Sequence, residues 1–374
     1  MVWGISFLSI SYFIFLILLI RAWNGIKIPA ISNPADPFIS VVIPVRNEAH
    51  NITLLIRCLE NQSYSFNNFE VIFIDDYSED GTFEQLLNYS KSSDLKILVY
   101  KLEEKADGIS HKKAAIAYGL TKVSGEIVLL TDGDVLFGTN WIQSYARAFS
   151  STDAKFISGP VFMDSFGFID DVQSLEFSSL IGTGAAAIYY NNPILCNGAN
   201  LAFSRDTFFE VNGYEGYEKI ISGDDEFLMY KISKRHPFKI SFLKSDQATV
   251  HIQPKSGFRE FYHQRRRWSG KWKKHPNPLT KVLAIYIFTV QLSFLLLFIS
   301  GILKLVPPYT VILILTIKLL LEFIYFKQMY LFFIKELRLI PFIISSLVYP
   351  LYAVIFGILS NMGGYEWKGR HFKN

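Results

Sequence analysis

The chain reads as an α/β domain built on a mostly parallel sheet, carried between apolar segments at its two ends. Three observations predict this. Short apolar runs alternate with stretches of helical periodicity between residues 39 and 131, the pattern of a parallel sheet covered by helices on both faces. Acidic clusters follow two of those runs, at the strand ends where such sheets hold ligands. The most apolar stretches lie near the termini, and the middle has ordinary globular composition. A length of 374 residues suffices for one substantial domain plus membrane helices.

Val2 to Ile20 is uncharged and matches a hydrocarbon core of roughly 30 Å. A secretory signal needs positive charge before its apolar core, and Met1-Val2-Trp3 has none. The first cations, Arg21 and Lys27, follow the run, which predicts an anchor with an outside N-terminus and a cytoplasmic domain behind it. Pro29, Pro34 and Pro37 make residues 24–37 a stiff linker. Strands are then expected at Ile39–Val45, Phe69–Ile74, 95–101 and Glu126–Thr131, with helices over 49–62, 82–92 and 111–121. No internal repeat is visible.

Val282 to Leu303 is an uncharged spanning helix. Residues 309–326 are apolar but contain Lys318 and Glu322, four apart and able to pair on one helical face. Leu339 to Tyr365 is uncharged but interrupted by Pro341 and Pro350. Three full spans would put the tail outside, whereas Lys368, Arg370 and Lys373 favour the inside. The expectation is that one of the last two segments is re-entrant or interfacial. The resulting division is an anchor over 1–24, a catalytic domain over 37–275, and a membrane region of two or three helices with a basic tail over 279–374.

Two cysteines, Cys58 and Cys196, exclude a disulfide framework and suit a reducing cytosol. The net charge of +4 is mild, but its distribution is informative. From Lys255 to Lys281 there are nine basic residues and one acidic, Glu260, just before an apolar run. That flank marks a cytoplasmic membrane face rather than a nucleic-acid site.

Four segments carry chemistry, each with a plain structural alternative. Asp132-Gly133-Asp134 closes a buried strand. Oxygen ligands of this kind suit Mg²⁺ or Mn²⁺, which often use one or two carboxylates plus substrate phosphates; the alternative is a solvated turn. Asp75-Asp76, followed by Asp80-Gly81-Thr82, offers carboxylates to a nucleotide base or ribose. There the alternative is a turn and a helix N-cap supplied by Asp80 or Thr82. Asp224-Asp225-Glu226 precedes an apolar helical stretch. Neighbouring acids make a carboxylate a better general base, while the helix dipole alone also favours acids there. Gln264-Arg265-Arg266-Arg267-Trp268 lies among aromatic and basic residues, fitting either an interfacial helix on anionic lipid or contacts to a diphosphate or sugar.

Taken together and in order, these segments resemble the family 2 glycosyltransferases over roughly Phe38 to Trp272. Val42-Ile-Pro-Val-Arg-Asn-Glu48 looks like that family's opening strand and loop, and Ile74 to Gly81 like its uracil-contacting segment. Asp132-Gly-Asp134 matches its D-x-D, Asp224-Asp225 its base segment and Gln264 to Trp268 its Q-x-x-R-W. The resemblance implies a GT-A fold, a Rossmann-like nucleotide-diphospho-sugar transferase domain, flanked by transmembrane helices. It implies an inverting mechanism with a nucleotide-sugar donor, UDP-linked in the usual case.

In that scheme Asp134 binds the metal, Mg²⁺ or Mn²⁺, and Asp132 lies near the ribose. Asp225 is the base, with Asp224 beside it. Pro44, Arg46, Glu48, Asp75, Asp76 and Lys112 line the donor site. Gln264, Arg267 and Trp268 close over the diphosphate or the acceptor end, and Gly198 and Asn200 belong to an acceptor-side loop. His111 and Ala117 depart from the family segment around Lys112, which often has Gly and Asn at those places. The C-terminal Trp367-Lys-Gly-Arg370 is similar to ceramide-glucosyltransferase-like members, pointing to lipid acceptors.

The expected partners are a nucleotide-sugar, a hydroxyl acceptor on a lipid or glycan for envelope or polysaccharide synthesis, and membrane lipids, with no nucleic acid. The expected location is multi-pass in the plasma (inner) membrane, with the catalytic domain cytoplasmic. The competing readings are a nucleotidyltransferase, whose Gly-rich basic loop Pro44 to Glu48 does not resemble, and a non-catalytic membrane scaffold.

Overall fold

The computed structural model describes residues 2–27, 36–102, 110–218, 220, 222–270, 274–359, 364–367 and 370–372. Most of the linker expected over 24–37, together with Lys368 and Lys373, lies outside the described residues. The chain forms two compact units, one of Ile26–Met163 with Ala187–Gln253 and one of Met1–Gly25, Asp164–Ala186 and Pro254–Asn374. The second unit therefore claims two stretches that the sequence assigns to the catalytic domain.

In the first unit, β1 (Ile39–Val45), α2 (Ala49–Glu60), β2 (Phe69–Asp75), α3 (Thr82–Ser92), β3 (Ile97–Lys101), α4 (His111–Leu120) and β4 (Ile127–Leu130) alternate as expected. Their boundaries differ from the sequence reading by no more than two residues. After β4 come β5 (Val135–Phe137), α5 (Trp141–Ser151), β6 (Phe156–Ser158), β7 (Val161–Met163), β8 (Leu201–Ser204), α7 (Arg205–Glu210), α8 (Asp224–Arg235), β9 (Ile240–Phe242) and β10 (Val250–Ile252). The main sheet has the order β3-β2-β1-β4-β8-β6-β9, and a small sheet has the order β5-β10-β7. The pairs β1–β2, β2–β3 and β1–β4 are parallel, while β8 runs antiparallel to β4 and β6. Every residue of β2 and all of β1 but Pro44 are buried, as a sheet covered on both faces requires.

The second unit contains α1 (Val2–Gly25), α6 (Phe168–Tyr189, of which residues up to 186 belong here), α9 (Phe258–Ser269), α10 (Pro278–Ile302), α11 (Pro308–Phe332), α12 (Leu339–Leu359), β11 (Tyr365–Trp367) and β12 (Arg370–Phe372). Four of these helices, α1, α10, α11 and α12, are long and apolar enough to cross a membrane. Their contacts separate three of them from the fourth. Phe15 meets Tyr286 and Tyr12 meets Phe294, so α1 and α10 run antiparallel; Trp23 packs edge-on against Phe332, bringing the C-terminal ends of α1 and α11 together.

By contrast, α12 has both ends near that same level. Phe342 packs on Phe323 and Phe326, whereas Tyr352 and Phe356 pack on Phe261 and Tyr262 of α9, and β11 lies alongside α9. Pro350 lies inside α12. It has no N–H to give to the carbonyl of Ser346, four residues earlier, and a proline there kinks the helix. A carbonyl freed in an apolar setting needs another donor, and the Lys318 ammonium fills that role at 2.7 Å.

The same ammonium pairs with Glu322 at 2.8 Å, as the spacing of four predicts. Tyr12 of α1 donates to Glu322 at 2.7 Å, and Lys318 lies 5.6 Å from the ring centre of Phe294 on α10. One buried polar node thus joins all four helices. Removing one partner of a buried pair costs about 3–5 kcal/mol, whereas replacing both with apolar residues is often neutral. Lys318→Met should therefore lower the melting temperature of detergent-solubilised protein sharply, and Lys318→Met with Glu322→Leu should recover most of the loss. A double variant no more stable than the single would contradict this role.

Candidate active site

The carboxyl ends of β1, β2 and β4 hold Pro44, Arg46, Glu48, Asp75, Asp76, Asp132 and Asp134. After β1 and β2 the chain makes two turns that knit together. Asn47 and Tyr77 both adopt positive φ, 52° and 56°. Asn47 N–H donates to Ser78 Oγ at 3.0 Å, and Glu79 N–H to Asn47 Oδ1 at 2.9 Å. Arg46 donates to the carbonyls of Asp76 and Tyr77 at 2.6 and 2.9 Å, so it props the acidic loop from below. Pro44 pairs with Ile74 within the sheet. Asp80 accepts from Thr82 N–H at 3.1 Å, the capping role allowed for it above.

This leaves Asp75 fully buried with Oδ2 accepting from Ser78 N–H at 3.1 Å. Its Oδ1 is buried without a hydrogen-bond partner, an acceptor available to a ligand N–H. Asp76 is also buried, and its Oδ1 lies 3.2 Å from Nδ1 of His111.

The Asp132-Gly133-Asp134 turn follows β4. A Cβ on Gly133 would lie 3.0 Å from Val45 Cγ1 and 3.1 Å from Glu48 Cγ. Close approach to β1 and to buried Glu48, rather than a left-handed backbone, is what demands glycine here. Asp134 points outward, exposed and with no hydrogen bond or ion pair among the described residues. Asp132 pairs with Lys112 at 2.7 Å.

Lys112 also reaches Asp224 Oδ2 at 3.3 Å, so one ammonium bridges the D-G-D turn and the first turn of α8. Burial pushes this lysine's pKa down, but Asp132, Asp224 and Asp225 outweigh that and hold it above the ordinary lysine range. Asp225 accepts from Glu226 N–H at 2.8 Å through Oδ1. Gly198 borders the cluster: a Cβ there would lie 3.3 Å from Lys112 Nζ, 3.4 Å from Asp224 Oδ2 and 3.5 Å from Asp225 Oδ2. A hydrogen bond from Thr131 Oγ1 to the Ala199 carbonyl, 2.7 Å, fixes that loop to β4. Asp132, Asp224, Asp225 and Gly198 therefore meet around one lysine.

Asn200 requires a correction. It is fully buried. Its Oδ1 accepts from Trp141 Nε1 at 2.9 Å and Tyr145 Oη at 2.8 Å, and its Nδ2 donates to the carbonyls of Pro160 at 2.7 Å and Ala248 at 2.8 Å. With its amide used on all sides inside the core, it supports the loop and offers nothing to an acceptor. Tyr214 adds a group near the Asp224 and Asp225 carboxylates. Its hydroxyl is buried without a partner. Burial first, then Asp224 and Asp225, raise its pKa well above the usual phenol range, so it stays a hydrogen-bond donor. No sequence motif marks it, since an aromatic in a Gly-rich stretch reads as core.

Gln264, Arg267 and Trp268 lie on α9, in the membrane unit. Gln264 accepts from Arg265, and Arg265 is itself held by Glu176 of α6 at 2.7 Å. Trp268 packs on Phe177, with Arg265 4.6 Å from its ring centre.

Among the described residues no three His, Cys, Asp or Glu side chains come together as a metal-binding group. The described residues therefore do not build an all-protein metal site. A divalent cation that completes its coordination with substrate phosphates needs only one or two carboxylates, and the free carboxylate of Asp134 fits that case.

Comparison with known proteins follows this geometry. The model of glycosyl transferase family 2 matches residues 40–211, and that of glycosyl transferase family group 2 matches residues 127–360. Glycosyltransferase AglE of Haloferax volcanii is 34% identical over 126 residues, 33% of this chain and 40% of that protein. Dolichyl-phosphate beta-glucosyltransferase ALG5A of Trichomonas vaginalis is 30% identical over 116 residues, 29% of this chain and 34% of that one. The aligned stretches thus take in well under half of either relative. A mannosyltransferase from Pyrobaculum calidifontis, solved with GDP-Man and Mn²⁺, shares the fold with a TM-score of 0.56 and 18% identity, covering 93% of this chain and 96% of that one.

The position of Asn200 generates a test. Asn200→Ala strands four buried groups at about 1–3 kcal/mol each before relaxation, so thermal denaturation should show a loss among the largest seen for one substitution. A folded, fully stable Asn200→Ala protein with only a raised acceptor KM would restore the acceptor-contact role.

Proposed function

The chain belongs to the family 2 glycosyltransferases, and on that premise we propose that it is an inverting enzyme transferring a sugar from a nucleotide-sugar to a hydroxyl carried by a lipid or a lipid-borne glycan. The carrying observation is the Lys112 bridge, which gathers Asp132, Asp224 and Asp225 at the sheet's carboxyl edge. The acceptor oxygen bonds to the anomeric carbon as the bond from that carbon to the diphosphate breaks. Asp225 takes the acceptor's proton. Positioned base help of this kind contributes about 10²- to 10⁴-fold.

Asp75, with its orphaned Oδ1, receives an N–H of the base, and Asp132 and Lys112 face the ribose and diphosphate. Asp134 would hold Mg²⁺ or Mn²⁺. When bound there, such a cation offsets the charge of the departing diphosphate. Asp134→Ala should abolish transfer in protein that still folds, since its side chain supports nothing else. Activity that survives EDTA, or persists in this variant, would remove the metal from the scheme.

The dolichyl-phosphate relative favours a second reading, in which the acceptor is the phosphate of the lipid. Such an oxygen is already anionic and needs no base. Asp225→Asn separates the two. For a hydroxyl acceptor, turnover should fall by at least ~10² with nucleotide affinity retained, and Asp224→Asn should cost less. For a phosphate acceptor, both variants should turn over near the wild-type rate.

We further propose that the catalytic unit is cytoplasmic and that α12 does not cross the membrane, which returns the tail to the same side. This accords with Arg21, with the basic flank before α10 and with β11 beside α9. Reporters fused after residue 275 and at Asn374 should both behave as cytoplasmic. An exported tail with a cytoplasmic residue-275 fusion would make α12 a span.

A further inference from the structure

We infer that Lys113, a residue outside the donor and acceptor contacts above, is a positioning residue for the proton acceptor Asp225. This rests on the reading of Asp225 as the base. Successive residues on a helix point about 100° apart, so Lys112 and Lys113 leave the first turn of α4 in different directions. Lys112 reaches the carboxylates. Lys113 is 1% exposed and lies beneath the segment that leads into α8.

Its ammonium donates to the carbonyls of Tyr217 at 2.9 Å, of Ile220, and of Ser222 at 3.4 Å. It also lies 5.0 Å from the ring centre of Phe227 on α8. Tyr217 stacks on that ring with centroids 4.8 Å apart and planes at 14°. Ser110 N–H, just ahead of α4, donates to the Glu218 carbonyl at 2.8 Å. On the other side of the same stretch, Lys231 donates to the carbonyls of Gly213 at 2.9 Å and Glu215 at 3.1 Å. The segment then passes through Gly223 at φ 82°, where a Cβ would come 2.9 Å from the Phe227 ring, and enters α8 at Asp224.

Three carbonyl dipoles converging on one point repel each other. A cation at that point turns the repulsion into attraction. Lys113 therefore sets where the segment ends, and the segment ends one residue before Asp224-Asp225. Removing the charge should leave the sheet-edge donor site intact but let the first turn of α8 move, displacing Asp225 from the attacking hydroxyl. Misplacement of a catalytic group by about 1 Å can cost 10²-fold.

The test is a double-mutant cycle on full-length protein in detergent. UDP serves as the binding probe, and the donor turned over by wild type in a panel of UDP- and GDP-sugars serves as the kinetic one. Lys113→Met, close in length but uncharged, should bind UDP and show a donor KM within about threefold of wild type, while kcat falls at least ~10-fold. Introduced into Asp225→Asn, the same change should cost less than about twofold more, because the group it positions is already disabled. Lys113→Arg keeps a cation under the segment and should recover most of kcat.

Equal losses in both backgrounds, an unchanged kcat in Lys113→Met, or UDP binding lost in both Lys113 variants would overturn the inference. Where Asp225→Asn alone is impaired and Lys113→Met is not, only the positioning role fails. Where Asp225→Asn turns over normally, the base assignment and the inference fail together.

Discussion

An ammonium group wholly or largely withdrawn from water demands oxygen acceptors around it, because without them its desolvation is not offset, and this chain meets that demand at three places that organise the rest. Lys318 takes Glu322 and the carbonyl that Pro350 strands at Ser346, and so joins four apolar helices. Lys112 takes Asp132 and Asp224, and so joins the D-G-D turn to the first turn of α8. Lys113 takes three carbonyls of the segment entering α8. In each case at least one acceptor belongs to an element other than the lysine's own, so the charge ties together elements that are distant in sequence.

The site depends on this arrangement together with steric limits. The order β3-β2-β1-β4 puts the ends of β1, β2 and β4 side by side, which brings Asp75, Asp76 and the D-G-D turn to one edge. Gly133 and Gly198 leave room where the backbone crowds Glu48 and the lysine–carboxylate cluster. Arg46 and Asn200 hold the loops around this edge. An edge with an exposed carboxylate, an orphaned buried acceptor and a lysine–acid cluster has the parts that transfer from a nucleotide-sugar requires. It lacks the Gly-rich basic loop of a nucleotidyltransferase.

Much of this was legible in the sequence. The strands β1, β2 and β4 are apolar runs bounded by polar turns, and α3 has the expected boundaries, since period and punctuation both mark them. Lys318 and Glu322 were recognisable from spacing alone. Other features left no such signal. The strands of the small sheet are three residues long, too short for periodicity. The assignment of α6 and α9 to the membrane unit is a tertiary outcome, as is the packing of the C-terminal part of α12 on α9. The acceptor-side place of Asn200 rests on family resemblance alone, and its four core partners are tertiary contacts that no sequence pattern marks. Nothing in the sequence separates Lys113 from its neighbour Lys112; only the carbonyls around it do.

The central claim is that the carboxylate cluster at the sheet edge breaks the bond between a sugar and a nucleoside diphosphate. The most direct measurement incubates detergent-solubilised protein, Mn²⁺ and short-chain lipid acceptors with a panel of nucleotide-sugars and identifies the nucleotide released. The account predicts a nucleoside diphosphate from one donor, with the sugar transferred in inverted anomeric configuration. Release of pyrophosphate or nucleoside monophosphate, or no release from any donor in the panel, would contradict it.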